Sequence, residues 1–316
     1  MPRLHVLARV RRWQPLVARM NPLALVGLTP LMERTPGRPG VAVGLIDGRV
    51  ARDHPDLRGH PVRELHPAPQ GGCVADDGCC AHGTFVAGIL SARRGSVAPG
   101  ICPHCTLLSR PVFSSRPATS GRIPEGGCLS GARAEELAAA VVETVDAGAR
   151  VLNLSLAQAE PSSARHRVLE EALDHAANNG VIVVVAAGNQ GTLGTSVITR
   201  HPWTIPVIAC DGDGWPLSLS NLGAEIGRRG LSAPGKEVMS LGVAGKSLRI
   251  TGTSAAAPFV TGAIALLLSQ FPAARPAAVR FAVTQSAAAG RGRRGSVVPP
   301  LLNAWAAYNA LRREGG

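Results

Sequence analysis

A chain of 316 residues with 45% hydrophobic and 17% charged residues is long enough for one large domain with a full core, and neither a linker-like tract nor an internal repeat divides it. The formal charge of +12 is carried almost wholly by arginine, in scattered pairs, and aromatic residues make up only 3%, whereas nucleic-acid binders gather charge on one element and interleave aromatics. No apolar run approaches the ~20 residues of a membrane span, so neither nucleic acid nor a membrane is an expected partner, while an acidic peptide is compatible with the charge.

Residues 1–20 are basic and weakly apolar and read as a loosely attached extension ahead of a domain over 21–316. Arg9, Arg11, Arg12 and Arg19 followed by the apolar stretch 23–32 imitate a secretory signal, but Pro30 breaks the run and no small-residue cleavage site follows. The seven cysteines, at 73, 79, 80, 102, 105, 128 and 210, are therefore expected to be reduced thiols in a cytoplasm. Asn21-Pro22 with Leu23, Leu25, Val26, Leu31 and Met32 predicts a short helix, ended by Gly37-Arg38-Pro39-Gly40.

Residues 41–46 form a continuous apolar run of strand length, as in a strand buried on both faces of a parallel sheet, and it ends at Asp47-Gly48. In an open α/β sheet the carboxyl ends of strands face the ligand crevice, so Asp47 is either a functional acid or a turn residue. His82 opens the next predicted helix, whose small residues Gly83, Ala87 and Gly88 allow close approach to a neighbour. A regular alternation follows: strand 106–112, helix 134–146, strand 150–156, helix 165–179 closed by Gly180, strand 181–187 and strand 204–210. Such βαβ units predict an α/β fold in three layers, a doubly wound, mostly parallel sheet with helices on both faces.

Asn189 ends its strand in Ala186-Ala187-Gly188-Asn189-Gln190-Gly191, either as a turn asparagine or as a carboxamide donor aimed at a developing oxyanion. Gly252-Thr253-Ser254-Ala255-Ala256-Ala257-Pro258 runs into an apolar helix predicted to be buried and to end at residue 270. Ser254 then sits at a helix N-terminus, where backbone N–H groups lack intrahelical partners and the macrodipole favours negative charge. Pro258 suits a first helical turn. A serine in such a place is commonly a cap, so the local pattern leaves cap and nucleophile open.

Together these segments resemble the subtilisin-type serine peptidases. Asp47 follows an apolar strand, His82 stands in His82-Gly83-Thr84-x-Val86-Ala87-Gly88, Asn189 in Ala187-Gly188-Asn189 and Ser254 in Gly252-Thr253-Ser254-x-Ala256-Ala257-Pro258, and Asp, His, Ser is the subtilisin order. The likeness runs from about residue 21 to 285. It implies a serine endopeptidase with Ser254 as nucleophile, His82 as base, Asp47 as the acid that orients it, and Asn189 in the oxyanion hole. Leu154, Ser155 and Leu156, with Ala186, Ala187 and Gly188, match the strands that line the family's substrate cleft. The implied partner is a peptide or protein substrate, with no cofactor and no metal; oligomeric state is not legible.

The departures carry expectations of their own. Gly48 replaces the family's common Ser or Thr after the acid, removing a hydroxyl that would bond Asp47 and leaving a non-catalytic, subtilisin-like binding module as the alternative. Phe85 stands where a second histidine is frequent, Ala255 where methionine is frequent, and Ala157 where glycine is usual. The segment 91–100 is too short for the calcium loop of secreted subtilisins, so Asp56 is expected to lack a metal, and Asp76-Asp77 read as a solvated loop. The stretch ahead of the first strand is too short for both a signal and a folding pro-domain, which points to an intracellular enzyme. Ile46-Asp47-Gly48-x-Val50 and the cysteine-bearing segment after Ala98-Pro99-Gly100 are similar to cyanobactin-type peptide-maturation proteases, which implies trimming of a leader or precursor peptide. The insertion 114–128 is a candidate substrate-recognition loop. Cys102-Pro103-His104-Cys105 and Cys79-Cys80 offer four thiolates to zinc, but adjacent Cys79 and Cys80 are poorly placed for one ion, and a redox-sensitive thiol or disulfide beside His82 is the preferred reading.

Overall fold

The computed structural model describes residues 21–66, 73, 77–112, 133–155, 167–287 and 296–314; the extension 1–20, the insertion 114–128, Asp76, Leu156 and Ala157 lie outside them. Two short helices, α1 (Pro22–Leu25) and α2 (Leu28–Arg34), lead into strand β1 (Ala42–Asp47), strand β2 (Val62–Glu64), helix α3 (Gly78–Ser91) and strand β3 (Thr106–Pro111). Helix α4 (Ala134–Asp146), β4 (Val151–Leu154), α5 (Arg167–Asn178), β5 (Ile182–Ala186), α6 (Val197–Arg200), β6 (Thr204–Cys210), α7 (Ala224–Arg229) and β7 (Leu231–Pro234) follow. The hairpin β8 (Val238–Leu241) and β9 (Ser247–Ile250) then precedes α8 (Thr253–Gln270), α9 (Pro276–Ala287) and α10 (Ala304–Glu314). The single short helix expected over 21–32 is thus two, because Gly27 turns the chain at φ +65° between them.

Strands β1 to β7 form one parallel sheet in the order β2-β3-β1-β4-β5-β6-β7. From β1 the chain goes to the edge strand β2, returns to β3 between β2 and β1, and then crosses to the other side of β1, where it builds outward from β4 to β7. The strand order therefore reverses between β1 and β4, and ligands of open α/β sheets bind beyond the carboxyl ends at such a point. Asp47 and Leu154 are the last residues of those two strands.

The period-2 alternation of the strands divides the core. Val43 and Leu45 of β1, Val151 of β4, Ile182 and Val184 of β5 and Ile205 and Val207 of β6 share one core with Ala256, Val260, Ile264 and Leu267 of α8. Ile46, Leu152, Leu154, Val183 and Val185 pack on the other face against Leu137 and Val141 of α4 and Leu169 and Leu173 of α5. Asp47, in phase with Val43 and Leu45, therefore belongs to the α8 face, and so do Asn153 and Ser155, in phase with Val151.

By length and composition alone α8 would pass for a membrane span, contrary to the expectation that no such run exists. Of its 18 residues, 94% are buried inside the domain, and it is the central helix on which one sheet face closes. Gly262 permits this, because a Cβ there would collide with Ile101.

Candidate active site

Asp47 is fully buried. Its Oδ1 accepts hydrogen bonds from the Gly48 N–H at 2.6 Å and from His82 Nδ1 at 2.7 Å. A carboxylate only accepts, so Nδ1 carries the proton and Nε2 keeps the lone pair, the arrangement of a base. Burial pulls the His82 imidazole down, but the charge of Asp47 and its hydrogen bond together outweigh this, and the value rises above 6.5. Asp47 Oδ2 finds no hydrogen-bond partner among the described residues.

The helix that carries His82 begins earlier than the sequence suggests. It starts at Gly78, so His82 lies beyond the first turn rather than at its opening. Asp77, read as part of a solvated loop, is instead the N-cap: its Oδ1 accepts from the N–H groups of Cys79 at 2.9 Å and Cys80 at 3.2 Å. A disulfide joins Cys73 to Cys80, and Cys79 is disulfide-bonded as well, so the general expectation of reduced thiols fails for these three, while the reading of a disulfide close to His82 agrees with the structure. Nor do Cys79 and Cys80 make a thiolate set with Cys102 and Cys105. Those two are free and buried, and the hydrogen bond between their thiols holds Cys102 above and Cys105 below the usual thiol range. Among the described residues no group of three or more His, Cys, Asp or Glu side chains could hold a metal ion.

The early start of α3 also explains Gly48. A Cβ at that position would collide with the carbonyl oxygen of Cys79, and one at Gly83 would collide with the carbonyls of Gly48 and Arg49. The loop bearing the acid and the helix bearing the base thus meet backbone to backbone, which holds the Asp47–His82 pair and leaves no space for a serine or threonine side chain.

Ser254 is the second residue of α8 and is only 8% exposed. Pro258, expected in the first turn, lies further inside the helix. Gly252 caps α8 without a side chain, and a Cβ on it would press on the Asn189 carboxamide, 3.0 Å from Nδ2. Asn189 Oδ1 accepts from the Thr253 N–H at 2.9 Å and from the Thr253 hydroxyl at 3.0 Å. These bonds fix the carboxamide so that Nδ2 is the end left for another acceptor. The Thr253 oxygen in turn accepts from the Gly188 N–H at 3.2 Å. Sequence reasoning passed over Thr253, whose only signal was its place beside Ser254.

The residues matched to a cleft lie at the ends of β4 and β5. Leu154 and Ala186 are buried in opposite cores, Ser155 is buried on the α8 side, Ala187 packs with Ile208 and Ile226, and Gly188 turns the chain at φ +104°. Leu156 is outside the described residues. Phe85 and Ala255, at two of the departures, are fully buried. Asp56 pairs with the guanidinium of Arg93.

The sequence profile of the Subtilase family (peptidase S8) matches residues 38–304. This chain belongs to the subtilase family. Subtilisin DY of Bacillus licheniformis is 32% identical over 252 residues, 78% of this chain and 83% of its own length. Fervidolysin of Fervidobacterium pennivorans is 28% identical over 283 residues, 82% of this chain, but the match spans only 39% of fervidolysin. Among solved structures, the prenylagaramide maturation protease PagA superposes with a TM-score of 0.77 at 29% identity, covering 90% of this chain and 98% of PagA. The protease domain of the patellamide maturation protease PatA gives 0.77 at 31%, covering 88% and 97%. This subtilase has the three-layer α/β fold that its motifs imply, with the expected mostly parallel sheet extending through seven parallel strands.

Proposed function

We propose that this subtilase is a serine endopeptidase that hydrolyses peptide bonds through Asp47, His82 and Ser254. The observation that carries the reading is the buried 2.7 Å bond from His82 Nδ1 to Asp47, which leaves Nε2 basic on the face of the sheet that α8 covers. Ser254 Oγ attacks the scissile carbonyl carbon while its proton passes to His82 Nε2. The tetrahedral intermediate collapses, the C–N bond breaks, and the leaving amine takes that proton. Water then hydrolyses the acyl-enzyme by the same proton path. Asp47 keeps the imidazole in its tautomer and balances the imidazolium charge. Asn189 Nδ2 and the Ser254 N–H donate to the oxyanion; loss of one such donor typically costs ~100- to 1000-fold in rate. The backbone at 154–155 and 186–188 pairs with an extended substrate.

The substrate we assign is a precursor peptide from which a leader is cut. The support is the likeness to PagA and PatA, both maturation proteases, at 29% and 31% identity over most of either chain. We assign the reaction to a unit spanning 21–316 that works without a cofactor.

The test is intact mass after exposure to a fluorophosphonate. A single adduct on the wild type, absent from Ser254→Ala and strongly slowed in His82→Ala, is expected. No adduct on folded wild type would leave a peptide-binding module that has lost its chemistry. Cleavage of a synthetic precursor at one site, read by mass spectrometry, tests the substrate; indiscriminate cutting of unrelated peptides would remove the maturation role.

A further inference from the structure

Pro258 sets up a vacancy in the hydrogen bonding of α8 that falls on the nucleophile itself. In an α-helix each N–H donates to the carbonyl four residues earlier, and proline has no N–H. Pro258 is inside α8, so the carbonyl of Ser254 is the one left without its helical donor. Ser254 is buried, and a buried carbonyl needs a partner.

The partner comes from the residue that follows β4. Ser155 Oγ lies 3.3 Å from the Ser254 carbonyl oxygen. Asn153 Nδ2 donates to Ser155 Oγ at 2.6 Å, and Asn153 Oδ1 accepts from the Thr261 hydroxyl at 2.8 Å. All three side chains are buried. The order of donors follows from chemistry: an amide nitrogen only donates, so Ser155 oxygen receives that bond and its own hydrogen is free for the carbonyl. Turning the Asn153 amide over would make Ser155 donate to Asn153 and strip the Ser254 carbonyl of this bond. The geometry also follows from periodicity. Asn153 in β4 and Ser155 just past its end are two apart, on the side toward α8; Ser254 and Thr261 are seven apart on a helix, two turns along one side.

We infer that Ser155 is a positioning residue for the nucleophile: together with Asn153 and Thr261 it ties the Ser254 carbonyl that Pro258 leaves open to strand β4, and so fixes the turn that presents the Ser254 hydroxyl and N–H. This rests on the serine-peptidase reading and gives Ser155 a role beyond lining the cleft. Loss of the tie lets the first turn of α8 shift, and misplacement of a reacting group by about 1 Å costs on the order of 100-fold in rate.

The experiment is a double-mutant cycle read by fluorophosphonate labelling rate and by kcat and KM on a small activated ester. Ser155→Ala should lower the labelling rate and kcat by about 10- to 100-fold with KM little changed, and Ser155→Thr, which keeps the hydroxyl, should restore most of the loss. Pro258→Ala returns an N–H to the Ser254 carbonyl, so in that background the further cost of Ser155→Ala should shrink to about threefold or less. A Ser155→Ala effect confined to KM, or a penalty undiminished in the Pro258→Ala background, would overturn the inference and leave labelling of the wild type, and with it the peptidase reading, intact. An unlabelled wild type would overturn both.

Discussion

Asp47 spends one carboxylate oxygen on two hydrogen bonds, to Gly48 and to His82, while the other has no partner among the described residues. The acid is therefore held by backbone and imidazole rather than by a neighbouring hydroxyl, and His82 is its main charge partner. Two expectations follow for pH. Catalysis needs neutral His82, so activity should fall as pH drops through a value above 6.5, and Asp47→Asn should cost about 10⁴-fold in kcat while moving the acid limb of the residual activity downward. The raised value also means that protonated His82 stabilises the fold, a contribution fully present below pH 6.5 and lost as pH rises through the raised value. A pH–rate profile of both proteins checks the first; an unshifted acid limb would mean that another group titrates. Gly48 invites replacement by serine, but the Cys79 carbonyl occupies that space. Gly48→Ser should cost about 1–3 kcal/mol or more in stability, seen as a lower unfolding midpoint, and should not improve activity.

At the scale of elements, the start of α3 decides the site. Asp77 caps the helix, the Cys73–Cys80 disulfide fastens its first turn, and the Cys79 carbonyl seats the loop after Asp47. Reduction of the disulfide, worth typically ~2–4 kcal/mol, should lower the unfolding temperature and slow fluorophosphonate labelling. Labelling unchanged after complete reduction would show that packing alone holds the helix. Asp77→Ala should cost about 1 kcal/mol by thermal unfolding. The helix start was hard to read because its cap lies beside two cysteines, in a segment that looks like a polar loop. The lengths of α4 and β6, by contrast, were plain, since nothing interrupts their apolar periodicity.

Over the whole molecule, a net charge of +12 gives a field that draws acidic partners. A precursor peptide with acidic residues flanking the cut should show a kcat/KM that falls as salt rises from low to high, while a neutral ester should not; equal insensitivity of both would remove charge from substrate selection. The same scale resolves α8. Apolar and long, it has the composition of a membrane span, yet it is the core onto which β1, β4, β5 and β6 close.

The sequence by itself determined the fold class, the four motifs and the main alternation β1, α3, β3, α4, β4, α5, β5, β6 and α8, because burial on both faces of a parallel sheet writes continuous apolar runs and tight helix approaches write glycines; it did not extend to β2, α6, α7, β7, β8, β9, α9 or α10. Only the tertiary structure decided how those motifs are held. The fit of Gly48 against Cys79, the hold of Thr253 on Asn189 and the bond from Ser155 to Ser254 join residues 31, 64 and 99 positions apart, and such contacts leave no periodic trace in a single chain.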